Sequence, residues 1–170
     1  MYFTTFSVVY WIDVFTRDEY RNVLIESWKY CQDMKGLEIF SWVIMTNHVH
    51  LIVSSNKDPL ENIFRDMKRH TSSKLKKLIV SNQFESRHLW ITKLMIGAGN
   101  DLSHNRGWQF WQQVTMPIEI RNQRSFYEIS DYIHKNPVKA GFVEKEEDWR
   151  YSSARDFYGK KGLIELSYIE

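Results

Sequence analysis

The chain has a single cysteine, Cys31, so no intrachain disulfide can form and no oxidising compartment is implied. Seven glycines and three prolines in 170 residues are too few for a collagen-like or linker-like chain. No stretch approaches the ~20 consecutive apolar residues of a membrane span. The opening MYFTTFSVVYWIDVF lacks the basic start and small-residue cleavage site of a secretory signal. Excess charge of one sign is missing too, since 23 Lys and Arg against 21 Asp and Glu leave +2. With 43% hydrophobic and 26% charged residues, the chain is neither disordered nor fibrous. These absences predict a soluble, cytoplasmic protein with no membrane partner. A length of 170 residues predicts one domain over residues 1–170, with a core to about residue 143 and a C-terminal extension from about 144.

Aromatic residues are abundant: 7 Trp, 9 Tyr and 10 Phe, 15% of the chain. Such rings fill a core, which composition favours, or form a surface on which unpaired bases stack. Along the chain, residues 3–15 mix β-branched and aromatic residues and read as a strand. Thr16-Arg-Asp-Glu19 matches a capping box. The helix it opens carries Tyr20, Val23, Leu24, Trp28 and Cys31 at helical spacing and ends before Gly36. LEIFSWVIM and HVHLIVS, parted by Thr46-Asn47, read as a hairpin over 37–54. A long helix is predicted over roughly 59–81, with Leu60, Ile63, Phe64, Met67, Leu75, Leu78 and Ile79 on one stripe. A shorter helix follows over 85–95, then a mobile loop from Gly97 to Gly107 and a strand over 109–120 broken near Pro117. A helix from Ser125 should stop near Asn136-Pro137, because the residue before proline avoids helical angles. The order predicts an α+β fold, an antiparallel sheet packed with helices.

His48-Val49-His50 lies inside a predicted strand, so its two imidazoles share one face, about 7 Å apart along the chain. Val49, Leu51 and Val53 form the other face and must enter the core. Two such histidines can converge on one metal ion, although a polar pair on a half-buried strand is the simpler alternative. A hydrolase with three alternating histidines would need one at Ile52, and a paired H-x-Thr/Ser phosphoesterase would need a hydroxyl at His50; neither fits. A structural zinc site fits poorly, because the only cysteine sits in the first predicted helix, away from any C-x-x-C spacing. In Tyr132-Ile-His-Lys-Asn136, residues i and i+4 share a helix face, so a phenol and an amide stand side by side while His134 points nearly opposite. A core-edge aromatic and a turn asparagine are the alternative. The stretch RDMKRHTSSKLKK (65–77) holds six Lys and Arg and one Asp, net +5 in a chain of net +2. Such clustering is either a phosphate-binding footprint or a solvated helix face.

MTNHVHLIV (45–53), QFWQQ (109–113), DYIHKNPVKAGFV (131–143) and DWRYSSARDFYG (148–159), in this order, resemble the REP-associated tyrosine transposases of the HUH superfamily. The resemblance runs from the first strand to about residue 159. It implies a ferredoxin-like fold and a divalent metal, Mg or Mn, held by His48 and His50 with Asn136 completing the shell. It also implies Tyr132 as the nucleophile that forms a 5′-phosphotyrosine and leaves a free 3′-hydroxyl. The expected function is a metal-dependent single-strand DNA endonuclease and transesterase acting on hairpin-bearing repeats in the nucleoid. A non-catalytic or domesticated binder of hairpin DNA or RNA is the alternative. Arg65, Lys68, Arg69, Lys76 and Lys139 are the expected DNA contacts, and the partner is single-stranded or hairpin DNA. By the same resemblance, a homodimer that exchanges the tyrosine helix and a monomer that keeps it are both open.

Overall fold

A computed structural model of the chain describes residues 1–101 and 107–169. Strands β1 (Tyr2–Ser7), β2 (Leu37–Ile44), β3 (His48–Ser55) and β4 (Ile118–Glu119) form one antiparallel sheet in the spatial order β2-β3-β1-β4. Helix α1 (Asp18–Lys35) joins β1 to β2, and α2 (Leu60–Ser81) and α3 (His88–Asn100) lie between β3 and β4. Helix α4 (Gln123–Lys139) and the short α5 (Ala154–Phe157) follow. This succession and strand order are the expected ferredoxin-like α+β arrangement. None of the described helices is long and apolar enough to cross a membrane.

Side-chain alternation divides the sheet into two unlike faces. Val49, Leu51 and Val53 of β3, with Trp42 and Ile44 of β2 and Phe6 of β1, meet the buried stripes of α1 and α2. Tyr20, Val23, Leu24, Trp28 and Cys31 form the α1 stripe as their spacing predicts, and Trp28 packs edge-on to Trp42 at 5.6 Å. Burying one such side chain contributes about 2–3 kcal/mol. Gly36 ends α1 at φ 70°, where a Cβ would collide with Asn56 and Lys57, so glycine is required there. The opposite face carries Phe40, Val43 and Ile52, on which Phe126 and Ile133 of α4 pack. Between Ile39 and Ser41 the β2 register shifts by one residue, so Phe40 and Ser41 both serve this second face. The outer edge of β2 is covered by the C-terminal segment: Ile44 N–H donates to Tyr151 O at 2.9 Å, and Ser153 N–H to Trp42 O at 3.0 Å.

Several boundaries depart from the expectations. The strand predicted over 3–15 ends at Ser7, because β3 begins opposite it at His48 and offers no further partner. Val8 N–H instead bonds Asn47 O, Val9 N–H bonds Phe110 O, and Val9–Trp11 form a 3-10 turn. Within that turn Tyr10 and Trp11 sit at φ 54° and 55°, a conformation that costs a bulky side chain about 1–2 kcal/mol. The capping box does not form: Arg17 is the N-cap, Thr16 Oγ1 accepts from Arg87, and Glu19 accepts from Asn82. Gly97 and Gly99 belong to α3 rather than to a loop, and a Cβ on Gly99 would strike the Trp108 backbone; the rest of the loop expected from there, 102–106, lies outside the described residues. Of the strand expected over 109–120, only Ile118–Glu119 joins the sheet, with one isolated bridge from Trp111 to Val8. Helix α4 starts two residues before Ser125, whose N–H donates to the capping Asn122 side chain at 2.8 Å, and it runs through Pro137 to Lys139. A proline in a last turn forfeits only one ladder bond, and the burial of its ring favours the helical path.

Candidate active site

His48 and His50 project from the α4 face of β3, and their rings lie 4.7 Å apart between centroids. Each ring is oriented through Nδ1. Asn47 Nδ2 donates to Asp13 Oδ1 at 3.0 Å and to Trp11 O at 3.3 Å. That fixes Asn47 Oδ1 as an acceptor, so His48 Nδ1–H must donate to it at 2.7 Å and His48 Nε2 keeps its lone pair. Across the ladder from His50, Thr5 Oγ1 stands 2.7 Å from His50 Nδ1, so that Nε2 is the ring nitrogen turned toward α4. Burial pushes the His50 imidazolium down to about 3, helped by the charge of His48. Burial also lowers His48, partly offset by the Asn136 side chain and the Asp13 carboxylate. Both rings are therefore neutral near pH 7, the state in which an imidazole binds a cation.

Helix α4 brings Tyr132 over this pair. Its hydroxyl lies 3.5 Å from His50 Nε2, and its ring is tilted against His50 at 5.3 Å and edge-on to Phe3 at 6.2 Å. Asn136, one turn on, donates to Tyr132 O at 3.0 Å and reaches His48. Lys139 Nζ sits 5.4 Å from the centre of the Tyr132 ring. The histidines, Tyr132, Asn136 and Lys139 of one chain thus meet at a single place. Among the described residues, no three His, Cys, Asp or Glu side chains come together as a metal site. A third protein donor at this place is the Asn136 amide. Tyr127, on the same helix, lies against Phe126 beside a cavity shared with Phe157 and Tyr168.

The basic stretch is elsewhere. Helix α2 packs on the other face of the sheet, so Arg65, Lys68, Arg69 and Lys76 do not join the histidines. Arg65 is exposed and bonds Asn62 and Asp66. Arg69 is exposed, and Lys76 lies over the Trp108 ring at 5.3 Å. Lys68 turns inward: it donates to Gln112 O and Thr115 Oγ1, sits 4.8 Å from the Phe6 ring centre, and is pulled down to about 8 by burial. Its ammonium is held by these acceptors while the side chain still lines the open cavity beside Phe64 and Arg65.

His134 points away from the pair, as its spacing predicts. Its Nε2 lies 2.8 Å from Ser153 Oγ and 3.1 Å from Ser41 Oγ, under the Phe157 ring, and burial pushes it down to about 4. This buried contact ties α4 to β2 and the C-terminal segment. Below about pH 6.5 the unfolded chain takes up a proton here that the folded chain refuses, so stability is complete above 6.5 and falls as pH drops toward 4. The loss attributable to this ring is about 3 kcal/mol. Thermal melts should show that the decrease in Tm between pH 7 and pH 4 shrinks in His134→Gln. An unchanged decrease would assign the acid sensitivity to other groups.

Thr5, Asn47, Asp13 and Trp11 escaped the sequence reading. Asn47 adjoins the HVH pair and carried a signal in its position, whereas Thr5 is recognisable only once β1 is paired with β3. A family model described as "Transposase IS200 like" matches residues 1–101, a span that includes both histidines and ends before α4. A REP-associated tyrosine transposase of Escherichia coli (strain K12) is 24% identical over 121 residues, 70% of this chain and 55% of the relative. The chain thus spans about half the length of the curated relative it matches. A solved structure described as the REP associates tyrosine transposase bound to a REP hairpin shares the fold. Its TM-score is 0.60 at 20% identity, covering 99% of this chain and 86% of that one. Since the family model matches more than half of its residues, with the histidine strand inside the match, this chain belongs to the IS200-like transposase family.

Proposed function

We propose that this protein is a single-strand DNA transesterase that acts beside a hairpin, with Tyr132 as its nucleophile. The observation that carries this reading is the Tyr132 hydroxyl 3.5 Å from His50 Nε2 within one chain. The donor set fits a divalent cation, Mg or Mn: two neutral imidazoles held through Nδ1 with Nε2 turned toward the site, that of His50 meeting only the distant Tyr132 hydroxyl, and the Asn136 amide beside them. Bound by His48, His50 and Asn136, such an ion would supply positive charge to the oxygens of the scissile phosphate. Tyr132 contributes the attacking oxygen. The new bond joins that oxygen to phosphorus, the bond from phosphorus to the 3′ oxygen breaks, and the departing strand takes the proton as a free 3′-hydroxyl. The 5′-phosphotyrosine conserves the energy of the phosphodiester, so a later hydroxyl can reverse the attack and rejoin strands.

A pool of labelled hairpin oligonucleotides incubated with Mn tests this. A covalent protein–DNA band on a denaturing gel, lost with a chelator, is the expected result. Hairpin binding without any band would make the protein a non-catalytic binder of DNA or RNA.

The exposed cations of α2 suit the duplex backbone. Changing Arg65, Arg69 and Lys76 to Gln should weaken binding to all DNA sequences alike and flatten its salt dependence. The log–log slope should fall by up to about 0.9 for each phosphate no longer neutralised. Because α2 is across the sheet from Tyr132, cleavage at saturating DNA should be unchanged. A weakening confined to one sequence would mean base readout instead.

A further inference from the structure

Two bulky aromatic residues in succession at positive φ are rare, and these two are also exposed. Tyr10 and Trp11 each show 55% of their surface to solvent. Burial therefore does not compensate the strain. The turn is nonetheless pinned from every side: Val8 and Val9 donate to Asn47 O and Phe110 O, Trp11 O accepts from Asn47, and Arg87 grips Asp13 O and Thr16 Oγ1. Strain held in place by surrounding structure marks a segment whose shape serves something other than stability. What this turn presents is placed with respect to the site. The Trp11 ring is edge-on to His48 at 5.7 Å. Tyr10 borders a shallow cavity of about 340 Å³ whose polar lining is Asp101, Gln109, Gln112 and Gln113. Gln109 and Gln112 donate inward to Trp111 O and Val8 O through Nε2.

We propose that the Tyr10–Trp11 turn is a rigid stacking platform for unpaired DNA bases next to the scissile phosphate, with Trp11 taking one base and Tyr10 the next. The proposal rests on the functional reading above for the position of the phosphate. Aromatic faces accept any base by stacking. A platform already held in its bound shape binds without an ordering cost, which gives the strained backbone a purpose. The cavity provides room for the base lying on Tyr10, where the Gln109 and Gln112 side-chain carbonyls, the Gln113 amide and the Asp101 carboxylate meet amino groups on its edge.

The test compares three fluorescently labelled hairpins by anisotropy: one with unpaired tails, one whose tails are abasic, and one without tails. Trp11→Gly should weaken binding of the tailed hairpin about tenfold and leave the other two unchanged, while Trp11→Phe keeps most of the affinity. Glycine relieves the positive φ, so the Tm of Trp11→Gly should hold or rise. Equal losses on all three hairpins, a fallen Tm that tracks the loss, or no loss on the tailed hairpin would overturn the platform. So would wild-type protein that binds natural and abasic tails equally. Wild-type protein that prefers natural tails yet never forms a covalent band would sink the transesterase reading and leave the platform standing, whereas a band with unchanged Trp11→Gly binding does the reverse.

Discussion

Tyr132→Phe is expected to eliminate the covalent protein–DNA band while moving stability by less than about 1 kcal/mol. The ring's packing against Phe3, His50 and Lys139 survives the substitution. What disappears is the long hydrogen bond from the hydroxyl to His50 Nε2, 3.5 Å, at the weak end of the range. With no attacking oxygen, adduct formation should fall below detection, whereas non-covalent binding of hairpin DNA should remain. Tyr127→Phe is the control. Five residues along a helix turn the side chain by roughly 140° relative to Tyr132, and the structure accordingly sets Tyr127 against Phe126 rather than His50. A band that survives Tyr132→Phe and disappears in Tyr127→Phe would reassign the nucleophile and show the helix rotated in the DNA-bound protein.

The second large effect is expected at the histidines. His48→Ala should abolish Mn-dependent cleavage and lower Mn affinity at least about tenfold by calorimetric titration. The fold should tolerate the change, since His48 is only half-buried and its Asn47 partner retains Asp13 and the Trp11 carbonyl. His50→Ala should have the same effect on cleavage at a greater cost in stability, because this ring is 5% exposed and packs between Phe3 and Tyr132. Thr5→Val separates ring orientation from ring presence. It keeps the volume and the imidazole but removes the partner of Nδ1, and such a change costs about 10–100-fold in metal affinity or activity. Normal cutting and normal Mn binding in both alanine variants would place the ion elsewhere.

How far each of these residues was legible depends on whether its role is local. Periodicity along one element sets which side chains share a face, so the pairing of His48 with His50, their opposition to Val49, Leu51 and Val53, and the stacking of Tyr132 over Asn136 were all determined by the sequence. The stripes of α1 and α2 and the turn between β2 and β3 follow from the same short-range rules. Gly36 was readable as the end of α1 because only a left-handed cap lets the chain turn there.

Other features depend on which elements become neighbours, and no local period encodes that. Thr5 supports His50 only because β1 and β3 pair in one register, and a slip by one residue would have put Thr4 there. The strand predicted to residue 15 stops at Ser7 for want of a partner, and the freed chain becomes the strained Tyr10–Trp11 turn. Thr16 could have capped α1, but Arg87, 71 residues away in sequence, takes its hydroxyl. The charge of α2 was plain in the sequence, yet its side of the sheet was not. The crossovers place α1 and α2 together on one face and leave the other to α4. Lys68 shows the same limit at one side chain: its charge is a property of the sequence, but its inward turn onto Gln112, Thr115 and Phe6 exists only where three distant segments meet. Sequence determines the direction of a side chain about its own element; only tertiary packing decides what stands opposite it.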